Sequence, residues 1–154
     1  MQMMSITQNC EDAMYITDEI YENIKLPTRA TKGSAGYDFY SPIDFELMPN
    51  QSITFPTGIC AEIEPNLVLQ IYPRSGLGCK TGVRLANTVG IVDGDYVSSD
   101  NEGHIMIKFV NHGGSIMKVK AGDRVTQGIF VPYGITYDDN VTAERNGGFG
   151  SSGR

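Results

Sequence analysis

The segment S-I-T-F-P-T-G-I-C-A-E-I-E-P-N-L-V-L-Q-I-Y at 52–72 sets an apolar side chain at every second position within each run. Ile53 and Phe55 form the first run, Ile59, Ala61 and Ile63 the second, and Leu67, Leu69 and Ile71 the third. A period of two places these side chains on one face of an extended chain, so each run reads as a strand buried on one side. Pro56-Thr57-Gly58 and Glu64-Pro65-Asn66 punctuate the runs. The pattern returns at Ile105, Ile107 and Phe109 and at Val125, Gln127, Ile129 and Val131, with turn signals at Met48-Pro49-Asn50, His112-Gly113-Gly114 and Ala121-Gly122-Asp123. Turns at roughly 8–12-residue intervals are the spacing of sandwiches and barrels, and the expected class is all-β. Two short stretches have helical character. Ile16, Ile20 and Ile24 lie at i, i+4 spacing around Thr17 to Ile24, stopped by Leu26-Pro27, and Ser75 to Lys80 allows one or two turns.

A chain of 154 residues holds about one domain. Its 12 Lys+Arg against 18 Asp+Glu give a net charge of -6, which argues against a surface made for nonspecific nucleic-acid binding, so a polyanionic ligand needs a local basic pocket. With 40% hydrophobic and 19% charged residues the composition is globular rather than disordered, and 18 Gly with 7 Pro favour many turns over long helices. The three cysteines, Cys10, Cys60 and Cys79, form no C-x-x-C pair and cannot complete a disulfide framework, which makes the reducing cytoplasm the expected compartment. The N-terminal M-Q-M-M-S-I-T-Q-N-C-E-D lacks a basic region leading into an apolar run, and the longest uncharged stretch, 47–61, contains two prolines. Neither a secretory signal nor a membrane span is expected.

His104 and His112, even with Cys60 and Cys79, lack the pair spacing of a zinc site. Asp138-Asp139 and Ser99-Asp100-Asn101-Glu102-Gly103 read as solvated loop, the second without the spacing of an EF-hand. Five clusters carry more: A-G-Y-D-F-Y-S at 35–41, P-R-S-G-L-G at 73–78, N-T-V-G-I-V-D-G-D-Y at 87–96, G-D-R-V-T-Q-G-I-F at 122–130 and R-N-G-G-F-G-S-S-G at 145–153. Each joins glycine to charged or hydroxyl residues where the strand pattern breaks, which lets backbone approach a ligand. Arg74 and Ser75 could cradle phosphate or simply occupy a strand-to-helix turn. Asp93-Gly94-Asp95 could be a hairpin tip, or could set a general base beside the Tyr96 ring. The last cluster is either a frayed end or a flap, with Phe149 stacking on a base and Arg145 meeting phosphate.

In order and spacing, these five clusters resemble the five motifs of the homotrimeric dUTP pyrophosphatase (dUTPase) family, from about Leu26-Pro27-Thr28-Arg29-Ala30 to Ser152-Gly153. The resemblance implies a jelly-roll-like β-sandwich with one short helix, assembled as a trimer whose active sites lie between subunits. The first, second and fourth motifs would come from one chain, the third from a neighbour and the tail from another. It implies hydrolysis of dUTP to dUMP and pyrophosphate by water attacking the α-phosphorus, which limits uracil in DNA and supplies dUMP for thymidylate synthesis. Asp93 matches the catalytic base, Gln127 the residue that positions phosphate and water, and Asp38 the acid that organises the site near metal and arginine. Arg74, Ser75 and Gly76 match the phosphate-binding motif, and Asn87, Gly90, Val92 and Tyr96 the uracil and deoxyribose pocket. Arg145, Phe149, Gly150, Ser151 and Ser152 match the tail. Mg2+ is implied as cofactor, held by the triphosphate and waters rather than by protein ligands.

The implied organisation is an N-terminal extension at 1–12, a β domain at 13–144 and a flexible glycine-rich lid at 145–154. Tyr96 is followed by Val97-Ser98-Ser99-Asp100-Asn101-Glu102-Gly103-His104 where many members have Arg-Gly, a longer loop similar to that of some bacterial and phage members, and Gly78 stands where alanine is usual. Two rival readings remain. The related dCTP deaminases share fold and trimer but carry a second serine and a further arginine where this chain reads P-R-S-G-L-G-C-K. A nucleotide-gated binding protein would contact a regulatory protein partner through the 97–104 loop or the N-terminal extension.

Overall fold

Alternating burial along short strands builds a β fold around one core. The computed structural model describes residues 3–6, 16–145 and 147–148. Among these, the elements are β1 (Met3–Ile6), α1 (Asp18–Tyr21), β2 (Thr28–Arg29), β3 (Tyr37–Tyr40), β4 (Phe45–Leu47), β5 (Ser52–Pro56), β6 (Ile59–Glu62), β7 (Leu67–Pro73), α2 (Ser75–Thr81), β8 (Val83–Leu85), β9 (Gly90–Val92), a 3-10 helix (Gly94–Ser98), β10 (Met106–Asn111), β11 (Met117–Val119) and β12 (Arg124–Pro132). The largest sheet has strand order β2-β3-β12-β7-β9, a second runs β5-β10-β8, and β11-β4 and β1-β6 form two-stranded ladders. All pairings are antiparallel. Met3–Ile6 thus adds a strand to β6, with Met4 packed against the core.

Phe39, Phe55, Phe109, Leu69, Ile71 and Val125 are fully enclosed at the centre, and the Phe55 ring meets those of Phe45 and Phe109 at centroid distances of 5.0 and 5.5 Å. Such offset aromatic contacts add to the burial of apolar area that drives folding.

Two short α-helices form at the two stretches of helical character, one more than the single helix the resemblance implies, and a 3-10 helix follows β9. The first ends at Tyr21 rather than Ile24, because Asn23 and Ile24 donate to the carbonyls of Ile20 and Tyr21 in i, i+3 bonds that tighten the last turn. Pro27 also disfavours helical geometry at Leu26. Thr17 caps the start, its hydroxyl accepting from Ile20 N at 3.3 Å. The second helix ends on Gly82 at φ 74°, where a β-carbon would come within 2.8 Å of Gly113.

Strand β12 departs from simple alternation. Val125 faces the core as expected, but the register shifts between Arg124, opposite Tyr40, and Thr126, opposite Phe39. This bulge changes the phase, so Thr126 and Gly128 point inward while Gln127, Ile129 and Val131 turn to the outer face. The bulge therefore places Gln127 beside Asp38 rather than in the core.

Candidate active site

Two groups of polar residues form on opposite sides of the large sheet's central strands. The first arises from register. Gln127 lies directly between Asp38 on β3 and Tyr72 on β7, so the first, second and fourth clusters meet on one face. Asp38, only 11% exposed at its side chain, takes Arg74 Nε at 2.9 Å on one oxygen and Arg124 Nη1 at 3.2 Å on the other. A carboxylate between two guanidinium groups holds both in place and offsets their mutual repulsion. Gln127 Nε2 donates to Pro73 O at 3.3 Å, and its Oε1 lies 2.9 Å from where a β-carbon on Gly36 would stand, so glycine at 36 leaves room for this side chain. Arg74 is the N-cap of the second helix. Leu77 and Gly78 both donate to its carbonyl, and the exposed Ser75 and Gly76 amides precede these bonds. Guanidinium groups, a hydroxyl and backbone N–H groups thus lie close in sequence and space, an arrangement chemically able to hold an anion.

The second group lines a cavity of about 600 Å³ walled by Asn87, Gly90, Val92, Asp93, Tyr96, Arg145 and Gly148 together with apolar side chains of β7, β8 and β10. Strands β8 and β9 belong to different sheets, so residues 86–89 form a turn between sheets rather than the tip of a paired hairpin. Thr88 N donates to Leu85 O, Val89 N to Asn87 O, and Thr88 adopts φ 67°. Gly90 packs close to Ile71, 3.1 Å from a notional β-carbon. Asp93-Gly94-Asp95 is not a hairpin tip. Asp93 is the N-cap of the 3-10 helix, its backbone carbonyl accepting from Tyr96 N at 3.1 Å, which leaves its carboxylate free of the cap beside Asp95 and Tyr96. Within this chain, where the resemblance implies a tail from another copy, Arg145 bridges the two acids, with Nη2 on Asp93 at 2.5 Å, Nε on Asp95 at 2.8 Å and its guanidinium carbon 5.7 Å from the Tyr96 ring centre. The other tail residues assigned from sequence, Phe149, Gly150, Ser151 and Ser152, lie outside the described residues.

Arg124 and Asp95, which the sequence places inside the fourth and third clusters without a role of their own, join these two groups through Asp38 and Arg145. The expectation of a solvated loop at 99–103 needs correction. Ser99, Asn101, Gly103 and His104 are buried and only Ser98, Asp100 and Glu102 face solvent. The available signal was the alternation of acids at 100 and 102 with small or amide residues at 99, 101 and 103. His104, enclosed by the loop, is pushed down to about 4 by burial, so its ring is neutral and Nε2 accepts Gly58 N at 3.0 Å. No helix among the described residues is long and apolar enough to cross a membrane.

Residues 22–153 match the family model described as dUTPase. Deoxyuridine 5'-triphosphate nucleotidohydrolase from Haemophilus influenzae (strain PittEE) is 40% identical over 151 residues, spanning 93% of this chain and 97% of that protein. The enzyme of the same name from Shigella sonnei is 38% identical over equal shares. Among solved structures, dUTPase from Streptococcus mutans superposes with a TM-score of 0.71 at 34% identity, over 86% of this chain and 97% of that one. The chain belongs to the dUTPase family.

Proposed function

We propose that this enzyme hydrolyses dUTP to dUMP and pyrophosphate with Asp93 as the general base, in a site completed by neighbouring copies of the chain. The observation that carries the assignment is the position of Asp93 at the mouth of the cavity shared by Asn87 and Tyr96. From there a half-exposed carboxylate can take a proton from water next to a bound nucleotide. Water attacks the α-phosphorus, its proton passes to Asp93, and the bond to the bridging oxygen breaks to release pyrophosphate. Arg74, Ser75 and the Ser75 and Gly76 amides hold phosphate oxygens, Gln127 orients the α-phosphate and the water, and Asp38 keeps Arg74 aimed. Arg145 exchanges its contact with Asp93 for the triphosphate, which frees the base as substrate enters. The reaction limits uracil in DNA and supplies dUMP for thymidylate synthesis.

The donor set fits Mg2+ delivered with the triphosphate. Both Asp38 oxygens are engaged by arginines, which leaves the triphosphate itself as the main source of oxygen ligands. Triphosphate oxygens and waters would hold this ion in its preferred octahedral geometry on the side of Asp38, and it would supply charge neutralisation on the phosphates.

Uracil is selected by backbone groups of the 87–92 segment and by Asn87, since cytosine presents reversed donors and would leave them unpaired. Tyr96 lies flat beneath the deoxyribose and leaves no room for a 2'-hydroxyl. Pyrophosphate release assayed in parallel from dUTP, dCTP, dTTP and UTP should be confined to dUTP, and ammonia release from dCTP would identify a deaminase instead. In the same assay Tyr96→Ala should narrow the preference for dUTP over UTP by about tenfold or more. An unchanged ratio of the two kcat/KM values removes Tyr96 from sugar selection.

A single chain cannot bring both groups to one phosphorus. Val92 pairs with Leu69, so Asp93 follows near Val68 at one end of β7, while Arg74 stands past Pro73 at the other. At about 3.3 Å per strand residue, Asp93 and Arg74 are on the order of 15–20 Å apart. A neighbouring copy closes this gap. The chain also exposes Ile91, Ile135, Tyr137 and Val141, an apolar series suited to a subunit interface. The active species should sediment as a homotrimer at about 50 kDa, three times the 16.8 kDa chain. Full activity in a species sedimenting at the single-chain mass would refute it.

A further inference from the structure

Tyr96 can act as a platform only if its ring is held, and the residues that hold it come from the loop that replaces the usual Arg-Gly. The Tyr96 hydroxyl donates to His104 O at 3.0 Å and accepts Asn101 Nδ2 at 2.9 Å, while the same Nδ2 lies 3.2 Å from His104 O. On the other side of the amide, Ser99 Oγ stands 2.7 Å from Asn101 Oδ1 and 2.5 Å from Tyr96 O, sharing one proton between two acceptors. This pattern fixes which end of the carboxamide is oxygen, because the hydroxyl faces Oδ1 and the acceptors face Nδ2. All four residues are buried, Asn101 at 8% exposure and His104 at 2%. The loop closes through Gly103 at φ 70°, where a β-carbon would come 2.6 Å from Val97 Cα.

The amide has a second neighbour. A β-carbon on Gly148 would lie 2.8 Å from Asn101 Cγ, 2.9 Å from Oδ1 and 3.1 Å from Nδ2, so the Gly148 backbone rests directly on the carboxamide face. An amide held at both ends cannot move aside as the tip of an exposed side chain would. One buried group therefore touches the residue beneath the sugar and the segment that arrives with Arg145.

We infer that Asn101 is a positioning residue that fixes the Tyr96 ring and seats the C-terminal segment at Gly148, coupling sugar discrimination to tail docking. The inference rests on the assignment of this cavity to dUTP. Ser99, Asn101 and His104 are all turned inward to build this carboxamide contact.

A double-mutant cycle tests this with full-length protein, reading kcat and KM for dUTP and UTP together with the thermal midpoint. Gly148→Ala should raise KM for dUTP at least tenfold while leaving the midpoint within a degree or two, because residue 148 contributes no core side chain. Asn101→Ala should lower the dUTP/UTP ratio of kcat/KM at least fivefold. In the Asn101→Ala background the added methyl of Gly148→Ala has space, so its further effect on KM should fall below threefold. Equal effects of Gly148→Ala in both backgrounds would overturn the seat, and an unchanged dUTP/UTP ratio in Asn101→Ala would overturn the bracket. Should Asn101→Ala fail to fold, Asn101→Ser, which also removes the bulk beneath residue 148, takes its place in the cycle with the same expected outcomes. A wild-type protein that does not hydrolyse dUTP would instead remove the functional assignment, a result separate from either outcome of the cycle.

Discussion

Asp93→Asn should bind dUTP with nearly unchanged KM and turn it over at least about 100-fold more slowly, the scale expected for removing a general base. The substitution is isosteric, and Asn Oδ1 still accepts from Arg145, so the contact at the start of the 3-10 helix survives. What disappears is the ability to take a proton. Asp93 is about half exposed at its side chain, so the thermal midpoint should hardly move. Asp95→Asn is the informative control. Asp95 shares Arg145 with Asp93 at 2.8 Å, but unlike Asp93 it is not among the residues that wall the cavity. Its loss should alter KM through Arg145 rather than kcat. Near-normal turnover in Asp93→Asn, or an equal kcat loss in the two variants, would remove Asp93 as the base.

The expected strands were largely legible because one-sided burial writes itself into every second residue, as in 52–72, where β5, β6 and β7 fall on the alternating runs. The pattern failed where geometry rather than composition sets the phase. In β12 the bulge at Arg124 and Thr126 turned Gln127 outward, yet Val125, Gln127, Ile129 and Val131 look like one face in sequence. The resemblance to a known family marked Asp38, Arg74 and Gln127 as partners although 36 residues separate the first two and 53 the last two. The structure supplies the physical cause, a sheet order that sets β3, β12 and β7 side by side. The least legible part was 97–104. Its acids made it read as solvated, and its inward amide, hydroxyl and imidazole became visible only once the loop closed over Tyr96. A buried polar network leaves little periodic trace, since each member is chosen for a partner rather than for a face.

Deleting residues 145–154 should lower dUTP turnover about 100-fold or more while shifting the thermal midpoint by only a few degrees. The stability cost is bounded by what the deletion removes from the folded chain. The Arg145 bridge to Asp93 and Asp95 involves carboxylates about half exposed, and such pairs contribute about 1 kcal/mol or less. No described core residue belongs to the segment. The catalytic cost is larger because the guanidinium that would meet the triphosphate goes, together with the backbone that closes the cavity at Gly148. An open cavity admits bulk water, which screens the charges around the α-phosphorus and weakens every hydrogen bond to the developing negative charge. A passive chain end predicts the opposite pattern, full turnover with an unchanged midpoint. Steady-state dUTP hydrolysis, thermal unfolding and sedimentation of truncated and full-length protein separate the two, sedimentation confirming that the assembly is the same in both. Retention of full activity without the segment would mean that the cavity does its chemistry uncovered, and that Arg145 merely neutralises Asp93 and Asp95.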